Sequence, residues 1–195
     1  MNRRAAFIDR DGVLNEERAF VHRIEDFEFV PGAVEALQAL TTAGYALVVV
    51  TNQSGIARGL YAEADYHALT AHMRKRLSSA GVELDAVEYC PHLPDAPLSR
   101  YRKDCECRKP RPGMLRHAIA TLDIDPETSF LVGDRLSDLE AGRAAAIGCC
   151  FLVRTGCALT QDAMARADGT FRDLLECVKH VLAHDGKGSA VASCR

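Results

Sequence analysis

The chain has 195 residues, of which 48% are hydrophobic and 26% are charged, and its formal net charge is -3. This length predicts one domain with a sizeable core, and the mild acidity gives no indication of a nucleic-acid surface or a polybasic membrane patch. The sequence begins Met-Asn-Arg-Arg and then enters its first apolar run. Because no stretch there is long enough for a signal peptide or a membrane span, we expect a cytoplasmic protein without nucleic-acid or membrane partners.

Apolar runs alternate with amphipathic segments along the chain. Short apolar runs predict strands at 5–8, 45–50, 84–89, 129–133 and 149–153. Helical spacing of apolar residues predicts helices at 33–43, 63–80, 112–122, 136–146 and 171–184. Strands that alternate with helices are joined by right-handed crossovers, so we expect an α/β fold of three layers with a mainly parallel sheet. We expect residues 1–184 to form this single domain and the small, polar tail 185–195 to be disordered.

The first predicted strand ends on two carboxylates, Asp9 and Asp11, which are followed by Gly12. In a parallel sheet this strand end lies at the crevice where α/β folds bind ligands. Two acids this close repel each other unless they share a proton or hold a cation, so the pair is a candidate for metal-assisted nucleophilic and acid–base chemistry. A solvated turn is the alternative, because Asp and Gly are ordinary turn residues.

Other predicted strand ends also carry polar side chains. Thr51 and Asn52 follow the second strand, Asp134 follows the fourth, and the basic pair Arg108 and Lys109 precedes a helix. Carboxylates suit Mg²⁺, which binds a few of them together with water and phosphate oxygens, while a hydroxyl and a cation neutralise a phosphoryl group. The combination favours phosphoryl-transfer chemistry at one edge of the sheet.

Each of these residues also has a purely structural explanation. Thr51, Asn52 and Asp134 can cap the helices that follow them. Lys109 can be a surface charge, and we expect Asp138 to be a solvated helix residue. If all these structural explanations were correct, four unrelated polar motifs would occur in this order along an alternating α/β chain by coincidence. We therefore favour the functional interpretation.

The segment 90–111 has neither helical nor strand periodicity and contains Cys90, His92, Cys105 and Cys107. Three thiolates and one imidazole form a closed tetrahedral zinc site of the structural type. Such a site would fold a loop that cannot bury a core of its own, and unbound, reduced cysteines are the alternative. We expect the other cysteines in different settings: Cys149, Cys150 and Cys157 in or near the core, Cys177 on a helix face and Cys194 in the tail.

Four short motifs resemble the haloacid dehalogenase (HAD) superfamily of phosphohydrolases. They are Asp9-Arg10-Asp11-Gly12-Val13, Thr51-Asn52, Lys109 and Gly133-Asp134. The longer stretches 48–59, 107–110 and 153–156 are similar to its subfamily of heptose-bisphosphate and histidinol phosphatases. The resemblance covers residue 6 to about residue 180 and implies a Rossmann-like HAD fold with a zinc-stabilised loop and no separate cap domain.

The resemblance implies hydrolysis through an aspartyl-phosphate. Asp9 would attack the phosphorus, and Asp11 would protonate the leaving oxygen and then deprotonate the attacking water. Mg²⁺ would be held by Asp9, Asp134 and the backbone carbonyl of Asp11. Thr51 and Lys109 would hold the phosphoryl oxygens in the transition state.

The resemblance also implies a substrate, the 7-phosphate of D-glycero-D-manno-heptose 1,7-bisphosphate, and a place in the biosynthesis of activated heptoses for lipopolysaccharide or surface glycans. Histidinol phosphate or another small sugar phosphate is the alternative. The residues implied in substrate binding are Arg108, Asn52, Gln53, Ser54, Arg135, Glu17, Arg18, Ala19 and Phe20. Arg135 departs from the lysine of close relatives and keeps its charge but not its geometry. The stretch 17–20 also departs from the subfamily pattern, and the sequence does not decide the anomer.

Two different classes of protein remain alternatives. A phospho-accepting receiver domain also places acids, Thr and Lys on a parallel α/β sheet, but it lacks an Asp-x-Asp-Gly-Val turn on the first strand followed by a zinc loop. A zinc-loop binding module with a relic active site is the other alternative. No sustained heptad or large apolar face is evident, so we expect a monomer.

Overall fold

The computed structural model describes residues 3–185 as an α/β protein around a six-stranded parallel sheet. The strands are β1 (Ala5–Ile8), β2 (Ala46–Asn52), β3 (Ala86–Cys90), β4 (Phe130–Gly133), β5 (Cys149–Val153) and β6 (Gly169–Phe171). The helices are α1 (Ala33–Thr42), α2 (Ser54–Ala57), α3 (Glu63–Ser79), α4 (Gly113–Leu122), α5 (Leu136–Ala144), α6 (Gln161–Arg166) and α7 (Leu174–Asp185). The strands lie in the order β3-β2-β1-β4-β5-β6.

The central strands are buried on both faces, as their continuous apolar runs predict. In β1, Ile8 packs into the apolar layer formed with α1, α3 and α7, whereas Phe7 packs into the opposite layer with α4 and α5. The parallel register pairs Ile8 with Val49 of β2 and with Val132 of β4. The carboxyl ends of these three strands therefore lie side by side, at the edge where ligands bind in such sheets.

The predicted α/β architecture is confirmed, with all five predicted strands and five predicted helices present within a few residues of their expected bounds. The short elements α2, α6 and β6 were not predicted. Because β6 occupies residues 169–171, the predicted helix at 171–184 begins only at Leu174. Among residues 3–185, no helix is both long and apolar enough to cross a bilayer.

Most of the tail predicted to be disordered, 186–195, lies outside the described residues. Its first residue, Asp185, ends α7 instead of beginning a free tail. The Asp185 carboxylate accepts hydrogen bonds from Arg4 Nη1 at 2.9 Å and from the hydroxyl of Tyr45 at 2.8 Å.

Candidate active site

A cavity of about 750 Å³ opens at the carboxyl ends of β1 and β2. Its walls come from these strand ends, the loop after β1, the loop before α4 and the first turn of α5. Twelve of the residues predicted from the sequence line it: Asp9, Asp11, Glu17, Ala19, Phe20, Thr51, Asn52, Gln53, Ser54, Arg108, Lys109 and Arg135. Residues that are far apart in the sequence thus meet at one edge of the sheet, as predicted.

Three buried carboxylates and one lysine form what we call the floor of the cavity: Asp9, Asp138 and Lys109 line it, and Asp134 lies against these acids. Carboxylate oxygens of Asp9, Asp134 and Asp138 all lie within 4.8 Å of one another. Lys109 Nζ lies 3.0 Å from Asp9 Oδ1 and 2.6 Å from Asp138 Oδ1, and it donates to the Val50 carbonyl at 2.8 Å. The two ion pairs and this hydrogen bond fix the position of the ammonium group between the two acids.

The floor carries more negative than positive charge, and the pKa values of its groups reflect this. Burial, together with the charges of Asp138 and Asp134, raises the pKa of Asp9 to about 8, although Lys109 opposes the shift. Burial and Asp138 also raise the pKa of Asp134. Burial alone would lower the pKa of Lys109, but Asp138 and Asp9 raise it above its usual value. The carboxylates therefore need a further cation to be fully ionised near neutral pH.

The donor set fits a hard divalent cation. Asp134 is almost fully buried, and its Oδ2 accepts from the Cys157 backbone N–H at 2.8 Å. Its Oδ1 has no hydrogen-bond partner, and the nearest cation is the guanidinium of Arg135, with Nε at 3.6 Å. A buried carboxylate oxygen without a donor is costly unless a cation binds it. Space for this side chain depends on Gly12, where an added Cβ would lie 2.7 Å from Asp134 Oδ2. Oxygen ligands of this kind are those that Mg²⁺ binds.

Asp11 lies in a different environment, surrounded by hydrogen-bond donors. The buried guanidinium of Arg10 donates to both of its carboxylate oxygens, with Nη2 at 3.0 Å from each. Asn15 Nδ2 donates to Oδ1 and Gln53 Nε2 donates to Oδ2, both at 3.0 Å. The two acids of the first turn are therefore held by different partners, one by a lysine among acids and the other by three donor side chains.

The end of β2 supplies side chains that hold their neighbours in place. Asn52 Nδ2 donates to the Lys109 carbonyl, and the Lys109 N–H donates to Asn52 Oδ1, both at 3.1 Å. Thr51 Oγ1 accepts from Gln53 Nε2 at 2.8 Å. Asn52 and Gln53, predicted to bind substrate, thus have amide groups that are engaged with protein atoms, while the half-buried Ser54 begins α2.

The predicted substrate residues lie mainly at the cavity mouth. Arg135 Nη2 lies 3.3 Å from Glu17 Oε2, which joins α5 to the loop after β1. Arg108 Nη1 donates to the His92 carbonyl at 3.2 Å, so its direction depends on the cysteine-rich loop. Arg18 is not among the lining residues, and its exposed guanidinium pairs with Glu16.

Several residues of the site were not predicted from the sequence. The prediction of a solvated Asp138 is wrong, because its side chain is buried and pairs with Lys109. Cys157 lines the cavity instead of the core, whereas Cys149, Cys150 and Cys177 are buried as predicted. Four further residues were not singled out: Arg10, Arg58, Tyr61 and Ser137. No local pattern distinguishes them.

The four predicted zinc ligands converge behind the cavity. The sulfur atoms of Cys90, Cys105 and Cys107 lie 3.0–3.4 Å from one another, and His92 Nδ1 lies 3.5 Å from Cys107 Sγ. Burial and Lys103 lower the pKa of His92, which favours the neutral imidazole that a metal requires. Three thiols and an imidazole that converge in this way are the donor set of a tetrahedral zinc site.

Comparisons with known proteins agree with this geometry. A family model described as haloacid dehalogenase-like hydrolase matches residues 6–89, and one described as HAD-hydrolase-like matches residues 106–177. The D-glycero-beta-D-manno-heptose-1,7-bisphosphate 7-phosphatase of Pasteurella multocida is 46% identical over 177 residues, which are 91% of this chain and 96% of the relative. The enzyme of the same name from Escherichia coli K12 is 46% identical over 172 residues, 88% of this chain and 90% of the relative.

Solved structures lead to the same family. The D,D-heptose 1,7-bisphosphate phosphatase of B. bronchiseptica, complexed with magnesium and phosphate, has a TM-score of 0.80 and 34% identity, and covers 92% of this chain and 98% of its own. The corresponding phosphatase of Burkholderia thailandensis has a TM-score of 0.66 and 30% identity, and covers 93% and 99%. These matches confirm the resemblance inferred from the motifs. The chain therefore belongs to the heptose-1,7-bisphosphate 7-phosphatase family of the haloacid dehalogenase-like hydrolases and is a hydrolase of phosphate esters.

Proposed function

We propose that the chain removes the 7-phosphate of D-glycero-D-manno-heptose 1,7-bisphosphate through an aspartyl-phosphate, in the biosynthesis of activated heptoses. The observation that carries this proposal is the buried floor in which Lys109 lies between Asp9 and Asp138, beside an Asp134 oxygen without a donor. Relatives at 46% identity with this activity in their names support the substrate and favour its β anomer.

The metal would be held by Asp9, Asp134 and the backbone carbonyl of Asp11. When bound, Mg²⁺ lowers the charge repulsion between the nucleophile and the phosphate and acts as a Lewis acid toward the phosphoryl oxygens. The three floor carboxylates and Lys109 leave two uncompensated negative charges, which match a divalent cation. The raised pKa of Asp9 also indicates that a cation is needed. A bound cation would favour the ionised carboxylate, which is the form that can attack the phosphorus.

Four side chains would carry the chemistry. An Asp9 oxygen attacks the phosphorus, the bond to the sugar oxygen breaks, and Asp11 protonates that oxygen. Asp11 then takes a proton from the water that attacks the phosphorus, which releases inorganic phosphate and restores Asp9. Lys109 and the Thr51 hydroxyl hold phosphoryl oxygens during both steps, while Asp138 keeps Lys109 in position.

The cavity mouth supports a bisphosphate over histidinol phosphate. Three guanidinium groups line it, those of Arg58, Arg108 and Arg135. Arginine binds phosphate through charge-assisted, often bidentate hydrogen bonds, so the group suits a second phosphate outside the reaction centre. Histidinol phosphate has no second phosphate: it carries an ammonium group beside its phosphate-bearing carbon and an imidazole at its far end, so the three arginines have no anion to bind there.

The cysteine-rich loop would bind one structural zinc ion through Cys90, His92, Cys105 and Cys107. With four protein ligands the ion has no open position for water, so its effect is on folding. The loop also carries Arg108 and Lys109, so zinc would stabilise the segment that presents both cations. Reduced thiols of this kind belong in a reducing compartment, which supports a cytoplasmic location. We further propose a single domain over residues 1–184 that acts as a monomer on a small sugar bisphosphate.

Phosphate release from a substrate panel tests the proposal. The panel contains both anomers of heptose 1,7-bisphosphate, histidinol phosphate and p-nitrophenyl phosphate, each assayed with Mg²⁺. We expect the β bisphosphate to have the highest kcat/KM and Asp9→Asn to abolish release from every substrate. Preferential hydrolysis of histidinol phosphate would overturn the substrate, and an active Asp9→Asn variant would overturn the mechanism.

A further inference from the structure

Gln53 lies in the wall of the cavity, and its side-chain amide makes hydrogen bonds with protein atoms through both its nitrogen and its oxygen. Its side chain is only 2% exposed, although the residue borders the cavity. Nε2 donates to Asp11 Oδ2 at 3.0 Å and to Thr51 Oγ1 at 2.8 Å. Oε1 accepts from the Tyr61 hydroxyl at 2.6 Å and from Arg10 Nη2 at 3.4 Å. Both donors and both acceptor positions of the amide are therefore taken by protein atoms.

These partners leave one possible orientation for the amide. If the oxygen and nitrogen of Gln53 exchanged places, the oxygen would face the Asp11 carboxylate and the nitrogen would face the Arg10 guanidinium. Both contacts would then be repulsive, acceptor against acceptor and donor against donor. Asp11, which can only accept, and Arg10, which can only donate, consequently decide the orientation of the amide, and the Tyr61 hydroxyl then donates to its oxygen.

Tyr61 is itself fixed by its surroundings. Its ring stacks on His22 at a centroid distance of 4.8 Å and an interplanar angle of 4°. On another side it packs against the backbone of Gly55, where an added Cβ would lie 2.7 Å from Tyr61 Cζ. Arg10 is anchored separately, since its Nη2 donates to the Val21 carbonyl at 2.9 Å. The amide of Gln53 is thus held from both sides by rigid groups.

We infer that Gln53, held at its amide oxygen by the Tyr61 hydroxyl, is a positioning residue that ties the acid–base carboxylate of Asp11 to the phosphoryl-holding hydroxyl of Thr51. The inference rests on the proposed roles of Asp11 and Thr51. It revises the expectation that Gln53 binds substrate, because no polar atom of its amide is free to do so. One buried amide sets the relative position of two groups that act on opposite ends of the same P–O bond.

Three variants test this inference. Gln53→Leu removes the amide at similar side-chain size, and Tyr61→Phe removes a single hydroxyl. Tyr89→Phe is the matched control, because its hydroxyl bonds to Glu63 at 3.2 Å and it lies outside the cavity lining. Turnover is measured with p-nitrophenyl phosphate as well as heptose bisphosphate. The variants can therefore still be compared if heptose bisphosphate is not the substrate.

We expect kcat to fall about 100-fold for Gln53→Leu and about tenfold for Tyr61→Phe, because misplacement by an ångström costs this much. The KM and the half-saturating Mg²⁺ concentration should stay within about twofold of the wild-type values, since neither group contacts substrate or metal. Tyr89→Phe should match the wild type. The double variant Gln53→Leu/Tyr61→Phe should be no slower than Gln53→Leu alone, because Tyr61 acts through Gln53.

Three results would overturn the inference. A raised KM at unchanged kcat would make Gln53 a substrate ligand. Additive losses in the double variant would mean that Tyr61 acts independently of Gln53. A lower melting temperature with unchanged kcat and KM in Tyr61→Phe, the variant that disturbs the fold least, would reduce the network to a structural role.

Discussion

Replacing Asp138 by asparagine changes the charge of the cavity floor without changing its shape. The side chain is 1% exposed, and its carboxylate lies 2.6 Å from Lys109 Nζ. The introduced amide would keep an oxygen toward the lysine, but the floor would then carry one uncompensated negative charge instead of two. We therefore expect weaker magnesium binding, with stability affected less than the short contact suggests.

The magnitudes follow from the distances. At an effective dielectric constant of about 20, opposite unit charges at this separation attract by about 6 kcal/mol, and breaking a buried pair costs about 3–5 kcal/mol. Asp9 lies 3.0 Å from the same Nζ and ionises more readily without Asp138, so it takes over part of the pairing. We expect the free energy of unfolding without magnesium to fall by only about 1–2 kcal/mol, a fraction of the cost of breaking such a pair.

Magnesium titration of phosphate release provides the main assay. Losing one of two net charges should raise the half-saturating Mg²⁺ concentration at least about tenfold, or about 1.4 kcal/mol. The kcat value at saturating metal should fall about tenfold because Lys109 moves toward Asp9 and is held less firmly. Urea denaturation in magnesium-free buffer measures the stability change.

Asp162→Asn is the matched control, since Asp162 is exposed and lies 3.6 Å from Arg166 in a surface pair. Surface pairs contribute about 0–1 kcal/mol, so this variant should match the wild type in every assay. If Asp138→Asn retained the wild-type magnesium requirement and turnover, the charge-matching argument for this floor would be refuted.

Three further predictions concern the pH response, the cysteine-rich loop and the cavity mouth. The raised pKa of Asp9 means that the folded, magnesium-free protein holds a proton that the unfolded chain loses above about pH 4. Stability should therefore fall between about pH 4 and pH 8 in urea denaturation, and Asp9→Asn should flatten this fall; a wild-type slope in the variant would contradict the assignment. Cys107→Ser should reduce zinc from about one ion per chain to near zero and lower the melting temperature. Retained zinc by elemental analysis would contradict the proposed ligand set, and Cys157→Ser is the control for zinc content. Arg58→Gln should raise the KM for heptose bisphosphate about tenfold and leave that for p-nitrophenyl phosphate unchanged, whereas Arg100→Gln, outside the cavity lining, should change neither. Equal effects of Arg58→Gln on both substrates would contradict a second-phosphate role.

The parts of the fold that the sequence predicts are those with strong local patterns. Continuous apolar runs mark β1 and β2, and helical spacing of Tyr66, Leu69, Met73 and Leu77 marks α3, whose buried face they form. The edge strand β6 is three half-buried residues long, and α2 and α6 span only one or two turns. Segments this short contain too few residues to show a period, and tertiary packing decides their conformation.

The residues of the candidate site also differ in how far the sequence predicts them. Residues at strand ends, such as Asp9, Thr51 and Asp134, are predictable because the topology of a parallel sheet brings those ends together. Arg10 and Asp138 are not predictable in this way. A charged residue in a turn or a helix is usually solvated, and it is buried only when a partner distant in sequence pairs with it. Asp138 is buried by Lys109, which is 29 residues away in sequence, and no local pattern encodes that pairing.

The functions proposed for the two acids of the first turn differ in the same way as their partners do. Asp9 is buried among carboxylates with one lysine, so its pKa is raised and its ionisation depends on an added cation. Asp11, two residues later, receives hydrogen bonds from Arg10, Asn15 and Gln53 and requires no metal to hold its carboxylate in place. An attacking carboxylate gains from a cation that also binds the phosphate, whereas a proton shuttle must keep its side chain free of the metal. The surroundings of each acid thus meet the needs of a different step, and exchanging their roles would leave both without the partners they require.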